Sequence, residues 1–521
     1  MNRRDLFSNL VRMSSRDLSP VETMPVVLAG LTERTLPLTL EDVLHLYRRV
    51  GFSATMAQAK SLVGKTAVEV VDALLGSDTE PDHPSPGAWV DVATENPAGA
   101  DLQTRNAIEA SWYTYHALLS NWWLGHMKAD TKAVEKLSLF WMSHWVSEFS
   151  FDAETVTLPQ ALYRQYKVLR KGRLGDMKQM ALDVTVDNAM VWYLGGHFNE
   201  SGKPNENYGR ELLELFTTGI GWYTEGDVKE ASRVLTGWKA SRYSDEPSPN
   251  GIYNTWFAAA KHDTGAKQFM GQPIPARTAD NNTEYQVKNE EVFELIKIIF
   301  EERPIELSRF IAEKFYRYFV YSSKGDVDVA FVAELATVFA ASGFQLRALA
   351  RALFTSERFF DQAMRGVQIK TPFEFVVGVQ RQLGLDAADP MSWMAKMDQN
   401  VMDPPNVAGW PGYRSWISTN TYPVRRQLTD LMIRQMTDAQ AVTFIKQFDD
   451  HTDVRKFVRG VIAYLLPVSV SQAREDFYVS ALMQSAPEYE WVNIIESASA
   501  AGQRLRTLIT TISKAPDFQL C

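Results

Sequence analysis

The run PNENYGRELLELFTTG, from Pro204 to Gly219, sets two carboxylates, a guanidinium and an amide within two helical turns. Pro204 suits the first turn of a helix and Gly219 its C-terminal cap, so the spacing predicts one helix of about four turns. At about 100° per residue, Asn207, Arg210, Glu211, Glu214 and Thr218 share one face, and Tyr208, Leu212, Leu215 and Phe216 share the other. Under a cleft, Arg210 would lower the pKa of one carboxylate while crowding raised the other's, giving an acid and a base. The same oxygens would equally suit a hard divalent cation. On a solvated face they would form only the i,i+4 pairs Glu206–Arg210 and Arg210–Glu214, worth a few tenths of a kcal/mol each. Glu211 and Glu214 would lie roughly 5–6 Å apart at Cβ, so glycoside hydrolysis would need one of them paired with Asp187 or Asp263.

Histidines supply the other proton-transfer candidates. His262 and Asp263 stand in KHDTGAKQF (Lys261–Phe269), in a turn closed by Gly265. A turn histidine beside an aspartate is a general base, a metal ligand, or a tie for the turn itself. His144 lies in the aromatic helical run LFWMSHWVSEF (Leu139–Phe149), where a hydrogen-bonded core role is the plainer reading, and Asp187 sits at a helix junction, where N-capping is. His197 follows a Gly-Gly turn just before the polar helix and is expected beside its face. The candidate catalytic groups are thus Arg210, Glu211, Glu214, His144, His262, Asp263 and Asp187. Candidate substrate contacts are Asn207 and Tyr208, with Trp238, Asn406, Trp410 and Trp416 in or beside loops.

The elements that must position these groups are helices. Helical periodicity marks Leu40–Val50, Ala67–Leu75, Asn106–Met127, Lys132–Ser147, Pro159–Lys171, Pro372–Leu383 and several later segments, ending with a predicted helix over Glu488–Ser513. Strand-like alternation is scarce. A mainly α fold follows, a large multi-helix body with long irregular Pro/Gly/Trp-rich loops and at most small β-hairpins. The expected organisation is an N-terminal arm (1–39), a main helical domain (40–435) with insertions at 77–100 and 239–289, and a C-terminal helical subdomain (436–521). Insertions that long inside a compact domain call for a functional reason or small structure of their own.

Composition narrows the chemistry. A net charge of -9 offers no global attraction to phosphate backbones, so nucleic acid is not an expected partner. The single cysteine, Cys521, removes intrachain disulfides and multi-thiolate zinc or iron–sulfur sites. No phosphate loop, dinucleotide fingerprint, HExxH or GxSxG occurs, which disfavours nucleotide, flavin, zincin and serine-hydrolase chemistry, and haem is not expected either. A divalent cation is the cofactor left open. The start NRRDLF resembles a twin-arginine export signal but lacks its apolar region, so a cytoplasmic location is favoured over a periplasmic one, and no apolar run is long enough to span a membrane. Among the 14 tryptophans, Trp112, Trp122, Trp123, Trp141 and Trp145 fall in apolar helical patterns and read as core. Trp238, Trp256, Trp410 and Trp416 fall at helix ends or in loops, and are expected to converge on the polar helix.

The blocks Asp187–Tyr193, Pro204–Gly219, Tyr223–Trp238 (YTEGDVKEASRVLTGW), His262–Gly271 and Pro404–Thr421 (PPNVAGWPGYRSWISTNT) occur in matching order in a bacterial family, domain of unknown function 1800 (DUF1800), which the chain resembles after about residue 40. That family usually carries two histidines in an FWHNHF-like block; here Met142 stands at the first and only His144 remains, which weakens a two-histidine metal site. The resemblance implies pairing with a second family, domain of unknown function 1501, itself similar to the alkaline phosphatase and sulfatase group, at the cell envelope.

Three functions compete. One is a hydrolase or lyase acting on a polar substrate, carbohydrate-like among the candidates, with Glu211 and Glu214 as acid and base, Arg210 as anion clamp, His144 or His262 moving protons, and Trp238, Trp410 and Trp416 as stacking walls. Another is a non-catalytic binding or maturation partner of an envelope enzyme. The third is a metal-dependent enzyme with oxygen and nitrogen ligands. A deep cleft gathering Arg210, Glu211, Glu214, His144 and His262 would favour catalysis.

Overall fold

A computed structural model describes residues 30–149, 156–277 and 284–521, the last without the side chains of 284–289. The twin-arginine-like start lies outside the described residues. The fold is mainly α. Its helices begin where the sequence places a cap. Thr39 with Asp42, Thr66 with Glu69, Thr224 with Asp227 and Thr371 with Glu374 form reciprocal capping boxes at the starts of Leu40–Val50, Ala67–Leu75, Glu225–Val234 and Pro372–Leu383. The predicted helix over Glu488–Ser513 is broken. Trp491–Ile494 stops, and Ser497 caps a new helix, Ala498–Ser513, by accepting the Ala500 N–H. Among the described residues the two strand pairs are both short antiparallel ribbons inside the 239–289 excursion and its edge: Trp238–Ala240 with Thr255–Phe257, and Lys267–Phe269 with Gln272–Ile274. No helix among the described residues is long and apolar enough to cross a membrane.

One hydrophobic cluster runs from Leu38 to Phe518. Its aromatic centre holds four of the five helical tryptophans: Trp112, Trp123, Trp141 and Trp145 are buried, as their apolar patterns predict, Trp122 is only partly buried and donates to Pro84 O, and Trp141 donates Nε1–H to Arg173 O at 2.9 Å. Burying so much indole brings its N–H groups inside, and one buried carboxylate collects several donors. Glu135 accepts from Trp123 Nε1 (2.7 Å), Tyr166 OH (2.8 Å) and Arg170 Nε (2.9 Å), with His83 Nε2 at 2.8 Å. It ties the helices Leu102–Ala129, Val134–His144 and Pro159–Gly172 together. This frame fixes the N-terminal turn of Val134–His144, and the Trp141–Arg173 bond holds the turn that carries His144.

Candidate functional site

The polar helix is not the uniform α-helix that its end residues suggest. Glu206–Glu211 is α-helical, and Leu212–Thr217 continues as a π-helix. The wider turn is filled by hydroxyls: Thr217 Oγ1 donates to Leu212 O (2.7 Å) and Thr218 Oγ1 to Leu213 O (3.0 Å). Thr218 is therefore buried rather than on the polar face. The last carbonyls of any helix need outside donors, and here they find unusual ones. His144 Nε2 lies 3.0 Å from Phe216 O, and Lys314 Nζ lies 2.8 Å from Leu215 O and 3.0 Å from His144 Nδ1. π-turns of this kind recur at functional sites.

Donor and acceptor counting fixes the state of this group. Phe216 O can only accept, so His144 carries its proton on Nε2, and Nδ1 of the neutral ring accepts from Lys314. Burial, then the neighbouring Lys314 charge, keeps the His144 pKa well below the ordinary histidine value. Lys314 spends two N–H bonds on Leu215 O and His144. A neutral amine then has only its lone pair left, and an ammonium has one free N–H. Burial, followed by the charges of Arg317 and Lys324, lowers the Lys314 pKa to about 7. The lysine thus stands between its two forms near neutral pH, as a general base requires.

His144 and Lys314 open on a cleft of about 190 Å³. That is below the ~300 Å³ at the low end of ordinary ligand pockets, and leaves room for one small ring. The opposite wall is the Pro/Gly/Trp segment, which brings Trp410, Tyr413 and Trp416 to the cleft. Gly409 is what lets this segment approach. Its φ is +85°, and a Cβ there would sit 2.7 Å from Ser143 O, on the turn of helix that ends in His144. Gly409→Ala is expected to cost about 1–3 kcal/mol and to displace Trp410; a thermal melt with indole fluorescence would read both, and an unchanged melt and spectrum would refute the role. Trp410 Nε1 is buried and has no acceptor among the described residues. The floor adds Gln368, Thr371, Glu374 and Gln399. Glu374 is engaged already, by Lys136 Nζ and by the Thr371 N–H.

A larger hollow, about 280 Å³, lies elsewhere, lined by Arg48, Arg365 and Arg459 with Glu41 and Glu475. Its guanidinium groups are each anchored: Arg48 on the carbonyls of Ala463 and Tyr464, Arg365 on Asp42, and Arg459 through Nε on Glu475, while Nε of Arg48 and of Arg365 has no partner among the described residues. It is a braced seam between helices.

The structure brings together only part of the set anticipated from sequence. His144, Trp410 and Trp416 share the cleft; Arg210, Glu211, Glu214 and His262 do not line it. Arg210 makes a bidentate pair with Glu225 (2.9 and 2.6 Å) and a looser one with Glu206 (3.9 Å), in place of the i,i+4 pair with Glu214. Glu214 accepts from Tyr223 OH at 2.7 Å. Glu211 is half-buried, with a pKa raised by burial and by Glu214, as crowding would have it. His262 is buried with Nδ1 2.9 Å from Thr236 O and Nε2 3.1 Å from Glu291, and Asp263 is held by Arg233 at 2.8 and 3.1 Å. The pair therefore fastens the excursion to the Glu225–Val234 helix. Asp187 is an N-cap, accepting from the Ala189 and Met190 N–H groups, and burial raises its pKa to about 7. Tyr208 is buried, its hydroxyl on Thr185 O at 2.8 Å, and Trp238 is buried against Phe257, so neither side chain is free to meet a ligand. Asn207 is exposed, and Asn406 makes a local turn with the Ala408 N–H. His197 is buried, with its ring against Trp192 and Phe198. Among the described residues no three His, Cys, Asp or Glu side chains gather as metal ligands.

The family model described as "Protein of unknown function (DUF1800)" matches residues 45–520. The chain belongs to the DUF1800 family. The match spans His144, the polar helix, Lys314 and the Trp410–Trp416 wall, so the whole cleft lies inside the DUF1800 region. No curated protein and no solved structure matches this DUF1800 chain. Lys314, Arg317 and Tyr413, with the floor residues Gln368, Thr371, Glu374 and Gln399, are cleft residues that sequence reasoning missed. The only signal for Lys314 and Arg317 was the pair of cations one turn apart in KFYRYF, on a helix whose neighbouring positions Ile311, Phe315 and Phe319 are all buried.

Proposed function

We propose that this DUF1800 chain is an enzyme, a hydrolase or lyase of a small polar substrate, with a sugar ring as the favoured ligand, working in the cleft between Lys314 and the Trp410–Trp416 wall. The observation that carries this is the relay Phe216 O, His144, Lys314, Leu215 O. It holds an amine with a pKa of about 7 at the edge of a cleft. The relay orients Lys314 as the base, with His144 positioning it from behind rather than touching substrate. The aromatic wall, the unspent Trp410 N–H and the Gln399 amide, of which only Oε1 is engaged, by the Phe373 N–H, are recognition chemistry for a hydroxyl-rich ring with apolar faces. Glu211 and Glu214, Arg210 and His262 take no part in this version of the reaction.

The test is turnover of a panel of neutral and acidic oligosaccharides, read by new reducing ends for hydrolysis and by the ultraviolet absorbance of a new double bond for elimination. Expected is one signal, lost in Lys314→Met. No product from any sugar, together with unchanged tryptophan fluorescence on adding monosaccharides, would overturn the reading.

A second reading, a binding or maturation partner of another protein, is supported by a different surface. Ile220, Trp222 and Ile305 are exposed, and Arg303 Nε donates to Trp222 O at 2.8 Å, joining the two segments. Serine at all three positions would abolish partner capture under this reading and leave sugar turnover intact.

A further inference from the structure

Arg317 lies one turn beyond Lys314 on the helix Pro304–Phe319 and lines the same cleft. Its guanidinium makes one long bond, Nε to Ser322 O at 3.5 Å, and among the described residues it has no ion pair; nor does Lys314. This is unlike Arg365 and Arg459 of the larger hollow, which are matched to carboxylates. The single acid in the wall, Glu374, is already bound to Lys136, and it also feels the buried charges of Lys370 and Arg425. Among the described residues, Arg425 keeps Nε and Nη1 without partners, and Lys370 bonds the Phe518 carbonyl and lies over the Phe518 ring, with no carboxylate on it. With Glu374 taken by Lys136, the guanidinium groups of Arg317 and Arg425 have no carboxylate partner among the described residues, although the chain as a whole carries a net charge of -9. A guanidinium left unpaired in a partly dry cleft has its field and its fork of donors available to an anion.

We infer that the ligand is an anionic sugar, a single ring whose charged group seats on Arg317 while its apolar face lies against Trp410 and Tyr413, the partly exposed aromatics of the wall. This rests on the cleft being the sugar site, and it adds the charge requirement. Arg317 holds the anion; Lys314 remains the base. The charged group is a carboxylate, a phosphate or a sulfate, since all three present oxygens that an arginine fork matches.

Calorimetric titration of the full chain with glucuronate, its neutral methyl ester, glucose 6-phosphate, glucose 6-sulfate, glucose and inorganic phosphate tests this and separates the three anions. At least one charged sugar should bind about tenfold or more tighter than glucose and the methyl ester, the effect of one charge-assisted hydrogen bond. That preference should disappear in Arg317→Gln and return in Arg317→Lys, with circular dichroism and melting of both variants confirming the fold. Equal binding of the neutral and charged sugars would overturn the charge requirement while leaving the sugar cleft standing. Inorganic phosphate binding as tightly as the sugar phosphate would overturn it too, by reducing the site to a bare anion seat. No binding by any probe would remove both readings together.

Discussion

Glu135→Ala should destabilise the chain by about 3–5 kcal/mol, the cost of leaving buried donors without their anion. Glu135 is buried, and burial alone would raise its pKa; the bonds from His83 and Arg170, the Arg170 charge and the Tyr166 hydroxyl overcome this and hold it down to about 2. The sign follows from the linkage of protons to folding. The unfolded carboxyl titrates near its ordinary value of 4.5 and the folded one near 2. Its contribution is therefore complete above pH 4.5, and is lost as pH falls towards 2. Urea unfolding of the wild type and the variant at pH 7 and along the acid side would measure both parts. A loss under about 1 kcal/mol at pH 7, or a difference that does not shrink on acidification, would show that the four donors do not depend on this carboxylate. Glu135→Gln should fall between, since it keeps the shape and loses the charge that Arg170 needs.

The helices are legible in the sequence because burial and capping leave a periodic record. Leu40–Val50, Ala67–Leu75 and Pro372–Leu383 begin and end where the pattern says, each behind a threonine whose side chain closes a capping box. Glu488–Ser513 reads as one helix because apolar spacing continues across Ser497, which starts a second helix by capping rather than by any break in hydrophobicity. The polar helix misleads for a related reason. A wheel at fixed 100° assumes i→i+4 bonding, and the π-turn at Leu212–Thr217 rotates the residues beyond it, burying Thr218 and turning the Leu215 and Phe216 carbonyls to Lys314 and His144. Charged side chains on one face suggest chemistry, yet Arg210, Glu214 and Asp263 are each matched by a neighbour that a wheel cannot show, Glu225, Tyr223 and Arg233. The proposed base, Lys314, is invisible in the sequence because its character is not a matter of type or spacing. A lysine becomes a base near neutral pH only when two of its N–H groups are committed and its surroundings are dry, and those conditions come from three segments far apart in the chain.

Lys314→Arg should lower turnover by about 10²- to 10⁴-fold, the usual worth of a general base, while leaving the fold in place. The arginine retains a cation and donors for Leu215 O and His144 Nδ1, so the helix end stays capped, but it cannot deprotonate in the working range. Lys314→Met removes the donors as well and should lower the melting temperature, which Lys314→Arg should not. The wild-type rate should rise with pH through about 7, where the amine loses its proton, and then level. The groups around the amine fix that midpoint. His144 stays neutral throughout, the Leu215 carbonyl accepts a bond in either state, Arg317 and Lys324 push the pKa down, and Glu313 pushes it up. Arg317→Gln removes one of the two cations, so its pH profile should shift to higher pH, whereas Arg317→Lys, which keeps the charge, should leave the midpoint nearly in place. A wild-type profile flat from about pH 6 to 8 would mean that the amine is not the titrating base. Full activity in Lys314→Arg would mean that its lone pair is not used. Either result would reduce the His144–Lys314 pair to a cap on the π-turn, leaving the cleft to be explained as a binding site alone.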